Sequence, residues 1–250
     1  MVRTLILTLT TMTLLAHEPV VFAAGIDHAP YTRLLQTWVN QQGLVDYAGW
    51  RTNAADRAAL DAYLAQYAGA PATAATGADR HAGLINLYNA LTLRAVLQLP
   101  ADATTFWKPK PFDQRIHRVG GIDISLDDIE HGAARPEIGF RAHAALICAA
   151  MSCPPLAREA FTADAIERQL DERMRVWLGR EDLNRFDVQG GTAHLSQIFT
   201  WFREDFERGD STLATTLAPL APPAGAQLLS NPDTSIRFLD YDTSLNAHTP

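Results

Sequence analysis

The apolar positions of this chain fall into runs with two different periods. Tyr31, Leu34, Leu35, Trp38 and Val39 recur at steps of three and four and the run stops at Gly43, which predicts a first helix closed by a glycine. Asn53 precedes a second stripe, Leu60, Tyr63, Leu64 and Tyr67, which gives way to an Ala/Thr/Pro/Gly loop over residues 69–77. From Asp79 a denser pattern follows, Leu84, Ile85, Tyr88, Leu91, Leu93, Val96 and Leu97, stopped by Pro100; it predicts a long, buried helix. Thr162 opens another amphipathic helix through Ile166, Leu170, Met174, Trp177 and Leu178, closed by Gly179. Ser196 leads into a last one through Ile198, Phe199, Phe202 and Phe206.

The period changes around two pairs of glycines. Gly120-Gly121 lies between Ile116–Val119 and Ile122–Ile124, and Gly190-Gly191 between Phe186–Gln189 and Thr192–Leu195, the pattern of two hairpins with two-residue turns. Ser125 with Asp128 three residues on is a short capping box, predicting a helical turn or two from Leu126 to about Ala133. The apolar run Ala144–Met151 is short and stopped by Pro154-Pro155, which favours a buried strand. Ala218–Ala226 reads as a Pro- and Ala-rich loop and Ile236–Leu239 as a last strand. Helices and hairpins mix without regular alternation, so the expected class is α+β, helices packed around a small antiparallel sheet with two hairpins. No repeat or linker divides residues 24–250, which read as a single globular domain.

The first residues read differently. Met1–Arg3 supply a positive start and Thr4–Ala16 run without a charge, too short to span a bilayer. Pro19 follows, and Val21-Phe22-Ala23 suits a signal peptidase, so residues 1–23 are expected to be a signal peptide cut after Ala23. No later stretch approaches a membrane span, and the mature protein is expected in the periplasm or secreted, where cysteines can oxidise. The chain of 250 residues carries 28 acidic and 21 basic side chains, a net charge of -7, so nothing in its bulk charge draws it to nucleic acid. Its partner is expected to be a small-molecule or peptide substrate. Two cysteines cannot build a disulfide-dense scaffold or a four-thiolate metal site.

Four sets of residues could carry chemistry. On the short capped helix Asp127 shares a face with Glu130 and His131, which places carboxylates and an imidazole together as acid–base work requires. Cys148 and Cys153 are close enough to form a disulfide if the chain bends between them; otherwise Cys148 is a nucleophile or an inert thiol. In a strand or a helix His143 would point away from Cys148, so a thiol base would come from His131 or His117. Asn86 and Asn89 lie on one side of the long helix, where they either orient a catalytic group or tie a loop to the core. His117, His131, His143 and Asp127 lack tight ligand spacing, so no metal is expected. No phosphate-cradling loop, dinucleotide fingerprint or Gly-x-Ser-x-Gly elbow occurs, so no cofactor is expected.

These motifs assemble into a known pattern. Val45-Asp46-Tyr47, Ile85–Ala90, Ser125–His131, His143–Cys148 and Ser152–Leu156 resemble the family called domain of unknown function 547. Leu195-Ser196, Trp201-Phe202, Asp205-Phe206 and Tyr241–Asn246 extend the resemblance over nearly all of the mature chain. The resemblance implies that Asn86, Asn89, Glu130, His131, His143, Cys148 and Cys153 occupy the family's polar motif positions, and it implies no reaction. The expected function is an exported hydrolase or transferase with Glu130 and His131 as acid–base pair, with or without a Cys148 nucleophile. The alternative is a non-catalytic periplasmic or envelope-associated module with a structural disulfide.

Overall fold

The computed structural model describes residues 17–108 and 111–248; the charge-free run 4–16 lies outside the described residues. Three helices follow one another closely: α1 (Ala29–Trp38), α2 (Tyr47–Thr52) and α3 (Ala54–Ala65). Asp46 and Asn53 cap α2 and α3 by accepting from Gly49 and Asp56 N–H. They pack around α4 (Gly77–Gln98), whose middle is buried continuously from Ala82 to Leu93. A helix apolar on every side must lie inside, and α4 is the axis of the larger core cluster.

The stretch before α1 is part of that core. Val20 and Phe22 are buried, Phe22 meets the edge of Tyr67 at 5.2 Å, and its ring lies against Gly83 of α4, where a Cβ would collide with it. Ala75 donates its N–H to the Phe22 carbonyl and Ala24 donates to Thr73. The expected cut after Ala23 falls within this packed stretch.

The first hairpin is β1 (His117–Val119) and β2 (Ile122–Ile124), antiparallel, with Val119 opposite Ile122 and both turn glycines at positive φ. Ser125 then caps α5 (Leu126–Ile129) with the expected capping box. The helix does not stop there. It widens into a π turn (Glu130–Ala134) and continues as α6 (Arg135–Ile138), then as a 3-10 turn (Gly139–Ala144).

A second, smaller core forms around α7 (Ile166–Leu178), where Trp177 stacks on Phe199 at 4.4 Å. Its sheet contains β3 (Arg185–Asp187), β4 (Thr192–Leu195) and β5 (Ser235–Phe238) in that order. β3–β4 is an antiparallel hairpin as expected, but Asp187 pairs with Thr192, so residues 188–191 and not the glycine pair alone make the turn. β5 lies parallel to β4 because the chain returns through helices instead of a turn. Those helices are α8 (Ile198–Trp201), α9 (Arg203–Phe206), α10 (Leu213–Leu217), a 3-10 turn at Ala218–Leu220 and α11 (Pro223–Leu229). The class is α+β, with two small sheets in place of one.

Two expectations are corrected. Residues 144–151 are not a strand: the 3-10 turn ends at Ala144 and the chain runs on irregularly, with Ala149 at φ 58 and Ala150 bridged only to Leu245. Burial alone made this run look extended. Residues 218–226 are not a loop, because Pro222 and Pro223 occupy the N-cap and first helical positions, where a missing N–H costs nothing.

Candidate active site

The capped segment α5 to α6 sets the chemistry. Asp128 faces inward and completes the capping box with Ser125; it also accepts from the Glu18 N–H and from Arg115. Burial alone would raise the Asp128 carboxyl, but the hydrogen bonds from Arg115, Ser125 and Glu18 outweigh that and hold it below the usual carboxylate range. Asp127, Glu130 and His131 face the other way, into a cleft of about 370 Å³. The π turn begins at Glu130, with the Arg135 N–H bonded to the Glu130 carbonyl. Such wide turns interrupt helices chiefly where side chains need a special setting.

Tyr88 of α4 donates its hydroxyl to Glu130 Oε2 at 2.7 Å, and Glu130 Oε1 has no protein partner among the described residues. Burial, then the Glu130 charge, raise the Tyr88 phenol, so it stays a donor. His131 Nδ1 lies 2.8 Å from an Arg135 guanidinium nitrogen. A guanidinium only donates, so Nδ1 accepts, and Nε2 lies 3.7 Å from Asp127 Oδ1. Burial raises the Asp127 carboxyl; His131 opposes this and the charges of Glu130 and Asp113 add to it.

Arg135 joins this pair to a second one. Its Nε and the Nε2 of His143 each lie 2.7 Å from Asp205 Oδ2, and Arg208 reaches Oδ1. Burial alone would raise Asp205, but the hydrogen bonds from His143 and Arg135 and their charges overcome it, so the carboxyl is held below its usual range. His143 is buried with its ring stacked on Phe202 at 4.5 Å and Phe206 at 5.4 Å. The series His131–Arg135–Asp205–His143 therefore fixes both imidazoles.

Aromatic rings form the rest of the cleft. Trp107, Trp201 and Tyr241 make a cluster with centroids 4.7 to 6.1 Å apart. Cys148 and Cys153 also line it, joined as a disulfide. The Tyr241 hydroxyl donates to Cys148 Sγ at 3.1 Å and the Cys148 N–H to Cys153 Sγ at 2.9 Å. His143 and Cys148 reach the same cleft because the run between them is not extended, so the strand parity that would separate them does not apply.

Glu130, His131, His143 and Cys148 thus converge, and Asn86 and Asn89 do not. Asn86 clamps Phe161 by its N–H and carbonyl; Asn89 donates to the Ala145 carbonyl and accepts from the Ile147 N–H. Both amides are filled by backbone, and Asn89 holds the strap that leads to Cys148. His117 is elsewhere, beside Arg94, and no group of three or more His, Cys, Asp or Glu placed to hold a metal occurs among the described residues. Trp107, Asp113 and Arg135 have no motif of their own, and Asp205 lies 62 positions from His143. Only the resemblance, which included Asp205-Phe206, Trp201-Phe202 and Tyr241, pointed towards that wall.

The fold and the cleft define an α+β protein with an acid–imidazole pocket walled by aromatic rings and a disulfide. The family model described as protein of unknown function, DUF547, matches residues 73–178 of the chain. The matched stretch holds Tyr88, Glu130, His131, His143 and both cysteines, whereas Trp201, Asp205 and Tyr241 lie beyond it. No curated protein and no solved structure matches the chain.

Proposed function

We propose that the cleft is the active site of a hydrolase or group transferase that works by carboxylate–imidazole acid–base catalysis outside the cytoplasm. The observation that carries this reading is the convergence of Glu130, His131 and His143 on one concave cleft, with the imidazoles fixed from behind by Arg135 and Asp205. Glu130, held by Tyr88 through one oxygen, takes the proton of the attacking water or acceptor hydroxyl. Glu130 then returns that proton to the leaving group, while His131, accepting from Arg135 at Nδ1, donates a hydrogen bond from Nε2 to the leaving atom. With Cys148 in a disulfide no thiolate attacks, so the nucleophile comes from solvent or from the acceptor.

Two observations support export: the charge-free run at the start of the sequence and the disulfide, a bond that persists in oxidising compartments. Because Val20 and Phe22 are core residues, we place any processing before His17 and not after Ala23.

The test is turnover of chromogenic ester, peptide and glycoside substrates by the oxidised protein and by Glu130→Gln, which keeps an acceptor for Tyr88. Turnover should fall by about two to four powers of ten with the melting temperature unchanged. Equal turnover in the variant refutes the assignment. Reversible ligand binding with no turnover by the wild type makes the domain the non-catalytic module instead.

A further inference from the structure

The cleft's chemistry also selects its ligand, an inference that rests on reading this cleft as the ligand site. Three carboxylates line it: Asp113 at the exposed mouth, Asp127, and Glu130 deeper against Tyr88. No Lys or Arg lines it among the described residues. Arg135, the nearest guanidinium to His131, lies over the Phe202 ring at 4.4 Å and is spent on Asp205 and His131. His131 approaches only Asp127 among these acids, at 3.7 Å, and His143 is bonded to Asp205, so Asp113 and Glu130 face no imidazole partner among the described residues. Burial raises the Asp127 carboxyl, His131 opposes this, and the charges of Glu130 and Asp113 add to the rise.

The walls add a second, independent preference. Trp107, Trp201 and Tyr241 face one another around the opening, and Trp201 remains 45% exposed despite its size. Phe112 meets the edge of Trp107 at 5.7 Å and extends this wall towards Asp113. The Trp107 indole N–H is buried and has no partner among the described residues. Ring faces carry a negative quadrupole and attract cations, with tryptophan the strongest. A purely apolar ligand would bury the carboxylates unpaired, and an anion would meet three like charges; an apolar group bearing a cation satisfies both walls.

We propose that the cleft binds a ligand carrying a positively charged amine on an apolar body, with the ammonium placed between Glu130 and Asp127 and the apolar part against Trp107, Trp201 and Tyr241. The reacting bond then lies beside a charged nitrogen, as in the ester or amide of an amino compound.

The probes are benzylammonium and benzyl alcohol, which share size and ring and differ in charge, with binding followed by calorimetry and tryptophan fluorescence at low and physiological salt. Benzylammonium should bind about tenfold more tightly than the alcohol. Glu130→Gln should remove most of that preference and leave alcohol binding unchanged, and Trp201→Leu should weaken both. Equal affinity for the two probes, or no binding of either, overturns the proposal. So does a preference that survives Glu130→Gln joined to Asp127→Asn, since that would be attraction to the acidic surface at large. Binding needs no turnover, so the two readings fail separately. A cation preference with full turnover in Glu130→Gln sinks only the acid–base assignment. An alcohol preference with turnover abolished in that variant sinks only the ligand class.

Discussion

A chain that begins at Ala24 should be much less stable than one that begins at His17. The shorter chain lacks Phe22, which is 1% exposed and fills the space left by the missing side chain of Gly83, and Val20, which is 3% exposed. Removing a buried phenylalanine side chain costs about 3–5 kcal/mol and the valine about 2 kcal/mol more. The Asp128 carboxylate also loses the Glu18 N–H, and Arg80 loses the Val20 carbonyl. The loss is therefore about 5 kcal/mol or more, against a total stability of about 5–15 kcal/mol for a domain. The assay is urea unfolding of the two lengths side by side, with Phe22→Ala in the longer chain as a point control. The shorter chain should unfold at a clearly lower midpoint or purify unfolded, and Phe22→Ala should account for more than half the drop. Coincident midpoints would refute the reasoning and restore the cut after Ala23. Intact mass of exported protein then gives the natural start, expected at or before His17.

Burial, then the Arg94 charge, pull the His117 pKa down to about 4, below the 6.5 of an exposed histidine. The unfolded chain therefore takes up a proton first, and this contribution to stability, complete above about pH 6.5, is lost as pH falls towards 4. The loss is about 2 kcal/mol between pH 7 and pH 5. His117→Gln keeps an acceptor for Arg94 and should flatten that part of the urea-midpoint profile; a profile of unchanged steepness counts against the mechanism. Replacing both cysteines by alanine opens a loop of sequence separation 5 and should lower stability by about 2 kcal/mol. If the thiols take no part in chemistry, turnover per folded molecule should stay within about twofold, whereas loss of turnover in that variant and in each single one would return Cys148 to the mechanism.

The parts of the fold legible in the sequence are those whose causes are local. Periodicity placed α1, α3, α4 and α7, with Asn53 and Gly179 at caps as expected, although α1 ends with Val39 as its cap, short of Gly43, and α7 begins at Ile166, past Thr162. Glycine pairs placed both hairpins, and Ser125 with Asp128 placed α5. On that short helix Asp127, Glu130 and His131 had to share a face, so half of the site was readable from a spacing of three and four. The π turn was not, since nothing in Glu130–Ala134 distinguishes it from an ordinary helical turn. Residues 144–151 misled because an irregular strap held by Asn89 and the disulfide is as apolar as a strand. The other wall, Trp107, Trp201, Asp205 and Tyr241, is assembled by packing across long separations that no local pattern encodes.

The two groups of buried polar residues separate by what they do for stability. Asn86 and Asn89 each make one donor and one acceptor bond to backbone and are buried, which specifies the fold and keeps them from a substrate. Asp113, Asp127 and Glu130 do the reverse. They crowd negative charge around a void, one of them is driven towards protonation by burial and by the others, and Glu130 keeps an oxygen unpartnered. Such an arrangement costs stability, and neutral residues of similar size would relieve it. Behind it the sequence commits Arg135, Asp205 and His143 to a satisfied, ring-packed network that fixes the direction of His131. Local rules broken at one place and supported from behind mark a site kept for chemistry. This supports the proposal that the cleft between α4, the π turn and the disulfide strap is the functional centre, with the asparagines holding the fold around it.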